Sequence, residues 1–154
     1  RTVRYYCLPF GPEASPSGST QPVECPAMTD GKLGPDKNRT ARYYEEGEGR
    51  YLLDLGRTVT LKGITTTSFI ATKSGPVRYT VWVSTRSGAK ATAADPAAEG
   101  WTYVTTVSPR GISPMNAQVS VVEVPQGVKA RKVLLISLGA HSPEAFDEID
   151  LFTE

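Results

Sequence analysis

Three segments in a fixed order constrain this chain more than anything else in it: Arg50–Thr58 (RYLLDLGRT), Arg78–Gly88 (RYTVWVSTRSG) leading to Trp101, and Phe146–Phe152 (FDEIDLF). In the first, Tyr51, Leu53 and Leu55 alternate with Leu52 and Asp54 until Gly56 stops the run. Tyr79, Val81 and Val83 repeat the pattern in the second, and Ile149 with Leu151 in the third. A period of two bounded by turn residues predicts strands with one buried face. The same reading places strands at Tyr51–Leu55, Val59–Ile70, Val77–Ser84, Trp101–Val107, Gln118–Val124, Arg131–Leu138 and Asp147–Thr153, after a first strand in Arg1–Tyr6. Fourteen glycines and twelve prolines separate these runs, and no long window keeps a helical period, so the fold class is all-β.

Two stretches carry more detail. Val133–Leu138 (VLLISL) is apolar on both faces, which predicts a central strand covered on both sides, or one whose outer face lies under the N-terminal loop. Ala89–Glu99 (AKATAADPAAE) reads as a loop, with a single helical turn ahead of Pro96 as the alternative.

At 154 residues the chain fits one domain with a continuous core. Seventeen Lys and Arg nearly balance sixteen Asp and Glu, so no bulk field draws it to nucleic acid or to an anionic bilayer. No apolar stretch reaches the roughly eighteen residues of a membrane span, and the chain opens in polar sequence without a signal-peptide core. A secreted form would carry its leader outside this sequence.

Cys7 and Cys25, the only cysteines, bracket a Pro/Ser/Gly-rich segment that cannot form a core element of its own. A disulfide between them would remove about 3 kcal/mol of unfolded-chain entropy and favours an oxidising, extracytoplasmic setting. Two buried thiols are the alternative. Zinc is excluded, because there is no CxxC pair and one histidine cannot complete a four-ligand site.

Catalytic signatures are sparse. His141 is the only histidine, and no Gly-x-Ser-x-Gly elbow, His-Glu-x-x-His helix or phosphate-binding glycine loop is present. Tyr43, Arg42 and His141 are the residue types of a sugar β-eliminating lyase, but nothing in the sequence places them together. Glu45, Glu46 and Glu48 cluster ahead of a strand, yet glycoside hydrolysis needs carboxyls facing each other across about 5–9 Å, so neighbours in one loop read as a solvated acidic turn. The expectation is that the protein is not an enzyme.

Five stretches in order then resemble the galactose-binding-like β-sandwich of discoidin domains, coagulation factor C-type domains and family 32 carbohydrate-binding modules: Thr29-Asp30-Gly31, Asp54-Leu55-Gly56, Val81-Trp82-Val83-Ser84, Gly100-Trp101 and Glu148-Ile149-Asp150-Leu151-Phe152. The resemblance covers roughly Ala27 to the C-terminus and implies an antiparallel jelly-roll sandwich over residues 27–154, with residues 1–26 an N-terminal strand and tethered loop of the same domain. Ala89–Glu99 departs from the family pattern as an insertion between the Gly88 and Trp101 positions.

The same resemblance implies a structural calcium held by Asp30 and Glu148, with Thr40 a further side-chain ligand and backbone carbonyls completing the six to eight oxygens that Ca²⁺ prefers. Otherwise Asp30 caps the turn before Gly31 and Glu148 faces solvent. It also implies a sugar site on loops at one end, where Arg42, Tyr43 and Tyr44 combine an aromatic face with hydrogen-bonding groups, supported by Lys73, Arg110 and His141. One of the two tyrosines is equally a core residue. Trp101 occupies the structural tryptophan position and is expected in the core. Trp82 points to the outer face, either as a stacking platform or covered by a loop such as that between Cys7 and Cys25. Polar loop tips at Lys73-Ser74-Gly75 and Arg86-Ser87-Gly88 disfavour phospholipid binding, and Asn38-Arg39-Thr40 fits an N-glycosylation acceptor. The function expected is a non-catalytic carbohydrate-binding module, a monomeric domain of a larger secreted, cell-surface or periplasmic protein. The alternative is a protein-interaction or adhesion module on the same sandwich.

Overall fold

The computed structural model describes residues 4–8, 23–24, 41–43, 47–69, 78–108, 117–140, 144–146 and 148–154, with side chains at 50–67, 78–108, 119–137 and 149–154. Ten strands follow in chain order among these residues: β1 (Arg4–Leu8), β2 (Val23–Glu24), β3 (Ala41–Tyr43), β4 (Gly47–Phe69), β5 (Arg78–Ser84), β6 (Thr102–Val107), β7 (Ala117–Glu123), β8 (Lys129–Ala140), β9 (Glu144–Phe146) and β10 (Glu148–Thr153). All their pairings are antiparallel.

The layers are two. One sheet has the order β2-β1-β4-β8-β5-β6 and uses the first half of β4. The second half of β4 lies between β10 and β7 in a three-stranded layer. Two of the expected strands are therefore one: Tyr51–Leu55 and Val59–Ile70 merge into β4, which has 23 residues. Gly56 does not end the strand. It sits at φ 70° in a bulge between Asp54 and Val59, where its N–H donates to Asp54 Oδ1 at 2.9 Å. The first expected strand, Arg1–Tyr6, is observed as Arg4–Leu8.

The core between the layers collects the alternating residues: Tyr51, Leu53 and Leu55 of β4, Tyr79, Val81 and Val83 of β5, Val133 and Leu135 of β8, Ile64 from the second half of β4, Val122 of β7 and Ile149 of β10. Each such side chain taken from water contributes about 1.5–3 kcal/mol. Tyr79 makes a polar bridge across this core, its Oη sharing a hydrogen bond with Thr66 Oγ1 at 2.8 Å. Burial pushes the Tyr79 hydroxyl above its ordinary pKa, and the hydrogen bonds with Thr66 and Ser120 act the other way.

A second cluster covers the opposite face of the larger sheet: Leu52, Leu134 and Ile136 lie under Ala89, Ala91 and Trp101, with Trp82 packed at its margin. Val133–Ile136 is thus covered on both sides, as its composition requires, but by the 85–101 segment. Trp101 is buried as expected, in this core cluster on the outer face of the larger sheet. A 3₁₀ turn is present at Ala97–Glu99, after Pro96 rather than before it. Proline suits that first position, since its fixed φ fits the turn and no N–H is needed there.

The segment is held largely by side chains reaching its carbonyls. Arg50, 2% exposed, donates from Nη1 to Ala91 O at 2.8 Å and Ala93 O at 2.6 Å. Lys132 Nζ reaches Ala89 O at 3.1 Å, Trp101 Nε1 reaches Lys90 O at 3.0 Å, and Ser84 Oγ reaches Gly100 O at 2.7 Å. The buried alanines, 89, 91 and 93, are small enough to let the backbone approach the sheet closely.

Candidate functional site

Strand direction sorts the connections into two ends. On β8, Ala140 pairs with Gly47 and Leu138 with Arg78, while Lys129 pairs with Thr60 and Lys132 with Ser84. The bridge from Thr66 to Tyr79 brings the far half of β4 to the same end as Arg78. The pair Tyr79 and Val107 places the exit of β6 there, and Phe69 with Ala117 the start of β7. The strand ends flanking 44–46, 70–77, 109–116 and 141–143 therefore all lie at one end of the sandwich.

That end carries its own ribbon. β3 pairs with β9 in the register Ala41 to Phe146, Arg42 to Ala145 and Tyr43 to Glu144. The loop expected around Arg42 and Tyr43 is thus partly a strand, one that docks between the end of β8 and the start of β10. Glu148 opens β10 as the partner of Thr67. The structure brings Arg42, Tyr43 and Glu148 to the loop end, through their backbones. Asp30, Thr40, Tyr44, Lys73, Arg110 and His141 lie outside the described residues, as do Cys25 and the glycosylation acceptor at Asn38.

The opposite end is different in kind. An open cleft of about 420 Å³ there is lined by Arg57, Thr60, Thr85, Lys129 and Glu154 among others. Two of its charged residues have partners: Lys129 Nζ donates to Thr60 Oγ1 at 2.5 Å, and Glu154 Oε1 meets Lys62 Nζ at 2.8 Å. Hydrogen bonding from Lys62 and its charge hold the Glu154 carboxyl below the ordinary range. Such exposed pairs contribute little to stability.

Solved structures share this architecture from end to end. A family 32 module from Clostridium perfringens in complex with GalNAc-beta-1,3-galactose superposes with TM-score 0.66 and 16% identity, covering 97% of this chain and 94% of that one. The fold is the galactose-binding-like β-sandwich. The family 32 module of Clostridium perfringens NanJ, in complex with galactose, matches this sandwich at TM-score 0.66 and 11% identity over 97% of this chain and 92% of that one. The F5/8 type C domain of a Bacteroides fragilis protein follows at TM-score 0.59 and 18% identity, over 97% and 89%. By sequence, no protein-family model and no curated protein matches the chain.

Sequence reasoning missed two features of this sandwich. Arg50 stands just ahead of the strand expected at Tyr51–Leu55, and nothing in that spacing shows that its guanidinium is buried against the Ala91 and Ala93 carbonyls. Tyr103 was not singled out, because its closeness to Trp82 depends on a cross-strand register that no local pattern reveals.

Proposed function

We propose that this protein is a non-catalytic carbohydrate-binding module that attaches a larger secreted or surface protein to glycans through the loop end of its sandwich. The observation that carries this is the convergence, at one end of a galactose-binding-like fold, of the β3–β9 ribbon with Arg42 and Tyr43 and of the strand ends that flank 44–46, 70–77, 109–116 and 141–143. Its structural neighbours include modules holding galactose, GalNAc-beta-1,3-galactose, 4,5-unsaturated mannuronic acid and chitotriose. Arg42, Tyr43 and Tyr44 supply the central contacts in this reading, with Lys73, Arg110 and His141 around them.

A shallow site of one stacking face and a few water-competed hydrogen bonds corresponds to about −4 to −6 kcal/mol, on the order of millimolar to tens of micromolar. Calorimetry against galactose-, glucosamine- and uronate-containing glycans is expected to detect binding that Arg42→Ala, Tyr43→Ala or Tyr44→Ala weakens about tenfold at unchanged melting temperature. Absence of binding to every glycan, or three variants that bind like wild type, would return the fold to the protein-interaction reading.

Two structural supports belong to the same proposal. Calcium is assigned to Asp30, Thr40 and Glu148, and would cross-link the start of β10 to the segment ahead of β3. Ala41, the residue after Thr40, is the Cα partner of Phe146, two residues before Glu148, and the donor set is the hard oxygen one that Ca²⁺ takes. At about a hundred times its Kd calcium adds roughly 2.7 kcal/mol, so chelation is expected to lower the melting temperature by several degrees, and Asp30→Ala to abolish that difference. The Cys7–Cys25 disulfide rests on the sequence reading: Cys7 is the Cα partner of Val23, and Cys25 lies outside the described residues. Non-reducing peptide mapping checks it.

A further inference from the structure

The outer face of the larger sheet is closed by the 85–101 segment over β4 and β8, and among the described residues nothing covers Tyr103 on β6, which is 50% exposed. The outward positions there are Arg78, Thr80 and Trp82 on β5 and Tyr103 and Thr106 on β6, with Trp82 the Cα partner of Tyr103 and Thr80 of Thr106. Trp82 rests against the buried outer cluster, whereas Tyr103 is 50% exposed. The two rings meet edge to face, 5.4 Å between centroids and 72° between planes.

Both rings are anchored at their polar ends. Trp82 Nε1 donates to Thr80 Oγ1 at 2.9 Å, Thr80 Oγ1 lies 3.5 Å from Ile136 O, and Tyr103 Oη shares a hydrogen bond with Thr106 Oγ1 at 2.6 Å. An aromatic surface fixed in this way loses little side-chain entropy when something stacks on it. Its border is polar, with the Thr106 hydroxyl on one side and the exposed Arg78 further along β5. Among the described residues the other exposed large apolar side chains, Val119, Val121 and Phe152, are on β7 and β10 in the other layer. A pair of rings edged by hydroxyls and one guanidinium is too small for a protein partner, which needs a wider apolar patch. It fits a sugar ring, with C–H groups on one face and hydroxyls at the rim.

We propose that Tyr103 and Trp82 form a second glycan subsite, on the sheet face and separate from the loop end, that takes one pyranose ring of a polysaccharide chain with Tyr103 stacked on it and Thr106 and Arg78 at its hydroxyls. Only the ligand class rests on the glycan reading above. The site itself rests on the ring pair.

The test uses affinity electrophoresis in galactan, chitosan and alginate, together with acrylamide quenching of tryptophan emission. Trp101 is 3% exposed, so quenching reports on Trp82. At least one polymer is expected to shield Trp82, and Tyr103→Ala to weaken retention by that polymer about three- to tenfold while galactose and GalNAc-galactose bind as to wild type. Tyr103→Phe keeps the ring but loses its anchor to Thr106, and is expected to fall between Tyr103→Ala and wild type. The loop-end variant carrying Arg42→Ala and Tyr43→Ala is expected to lose the small sugars yet still show polymer shielding, which separates failure of the one site from failure of the other. Shielding by none of the polymers overturns the proposal, as does Tyr103→Ala retained like wild type. The quenching measurement on wild type decides alone if Tyr103→Ala does not fold.

Discussion

On β8, Leu135 faces the three-stranded layer and Leu134, its neighbour, faces the 85–101 segment, and both are fully buried. Leu135 is enclosed by regular strands whose positions are fixed by hydrogen-bonded ladders on both sides. Leu134 is enclosed by a loop held through its carbonyls, by Arg50, Lys132, Ser84 and the Trp101 indole. Equal burial therefore does not mean equal rigidity: one cover is a lattice, the other a strap tied at a few points.

The largest expected effect tests that difference directly. Leu135→Ala is expected to cost about 4 kcal/mol, because flanking strands cannot close on the cavity, and Leu134→Ala at least about 1 kcal/mol less, because the loop can settle into the gap. Denaturant melts of the two variants measure it, and equal losses would break the comparison. Next comes Arg50→Met, expected to cost about 2–3 kcal/mol by leaving the Ala91 and Ala93 carbonyls without their charged donor. Proteolysis should then cut first within 85–100, and cleavage elsewhere would show that the strap does not depend on this residue.

The smallest effect belongs to the rigid side. Tyr79→Phe removes the bridge to Thr66 and is expected to cost about 1 kcal/mol at neutral pH. Its sharper signature is in alkali. Because the folded pKa lies above the ordinary 10.0, the neutral hydroxyl's contribution is fully present below pH 10.0 and is lost as pH rises from there through the folded value. Stability of wild type should decline in that window more steeply than that of Tyr79→Phe, and parallel curves would assign the decline to other groups.

The inner side of this comparison was legible in the sequence and most of the outer side was not. Tyr51, Leu53 and Leu55 announce a half-buried strand by spacing alone, and VLLISL announces two covers without naming the second. Gly56 misleads, because a glycine that ends an alternation looks the same whether the chain turns away or bulges, and the bond from its N–H to Asp54 decides for the bulge. β3 and β9 are three residues each, too short to show a period, so the ribbon carrying Arg42 and Tyr43 was read as loop. At the loop end the order of motifs pointed to the architecture. Spacing alone does not encode how Tyr44, Lys73, Arg110 and His141, far apart in the chain, would meet one ligand.

β4 belongs to both layers at once, and this has a consequence for how the molecule comes apart. Its first half is bonded into ladders with β1 and β8 and its second half into ladders with β10 and β7, so one unbroken strand joins the two layers. Amide exchange is expected to show similar protection on either side of Gly56. A load taken up at one sheet is passed to the other through the continuous covalent chain of β4.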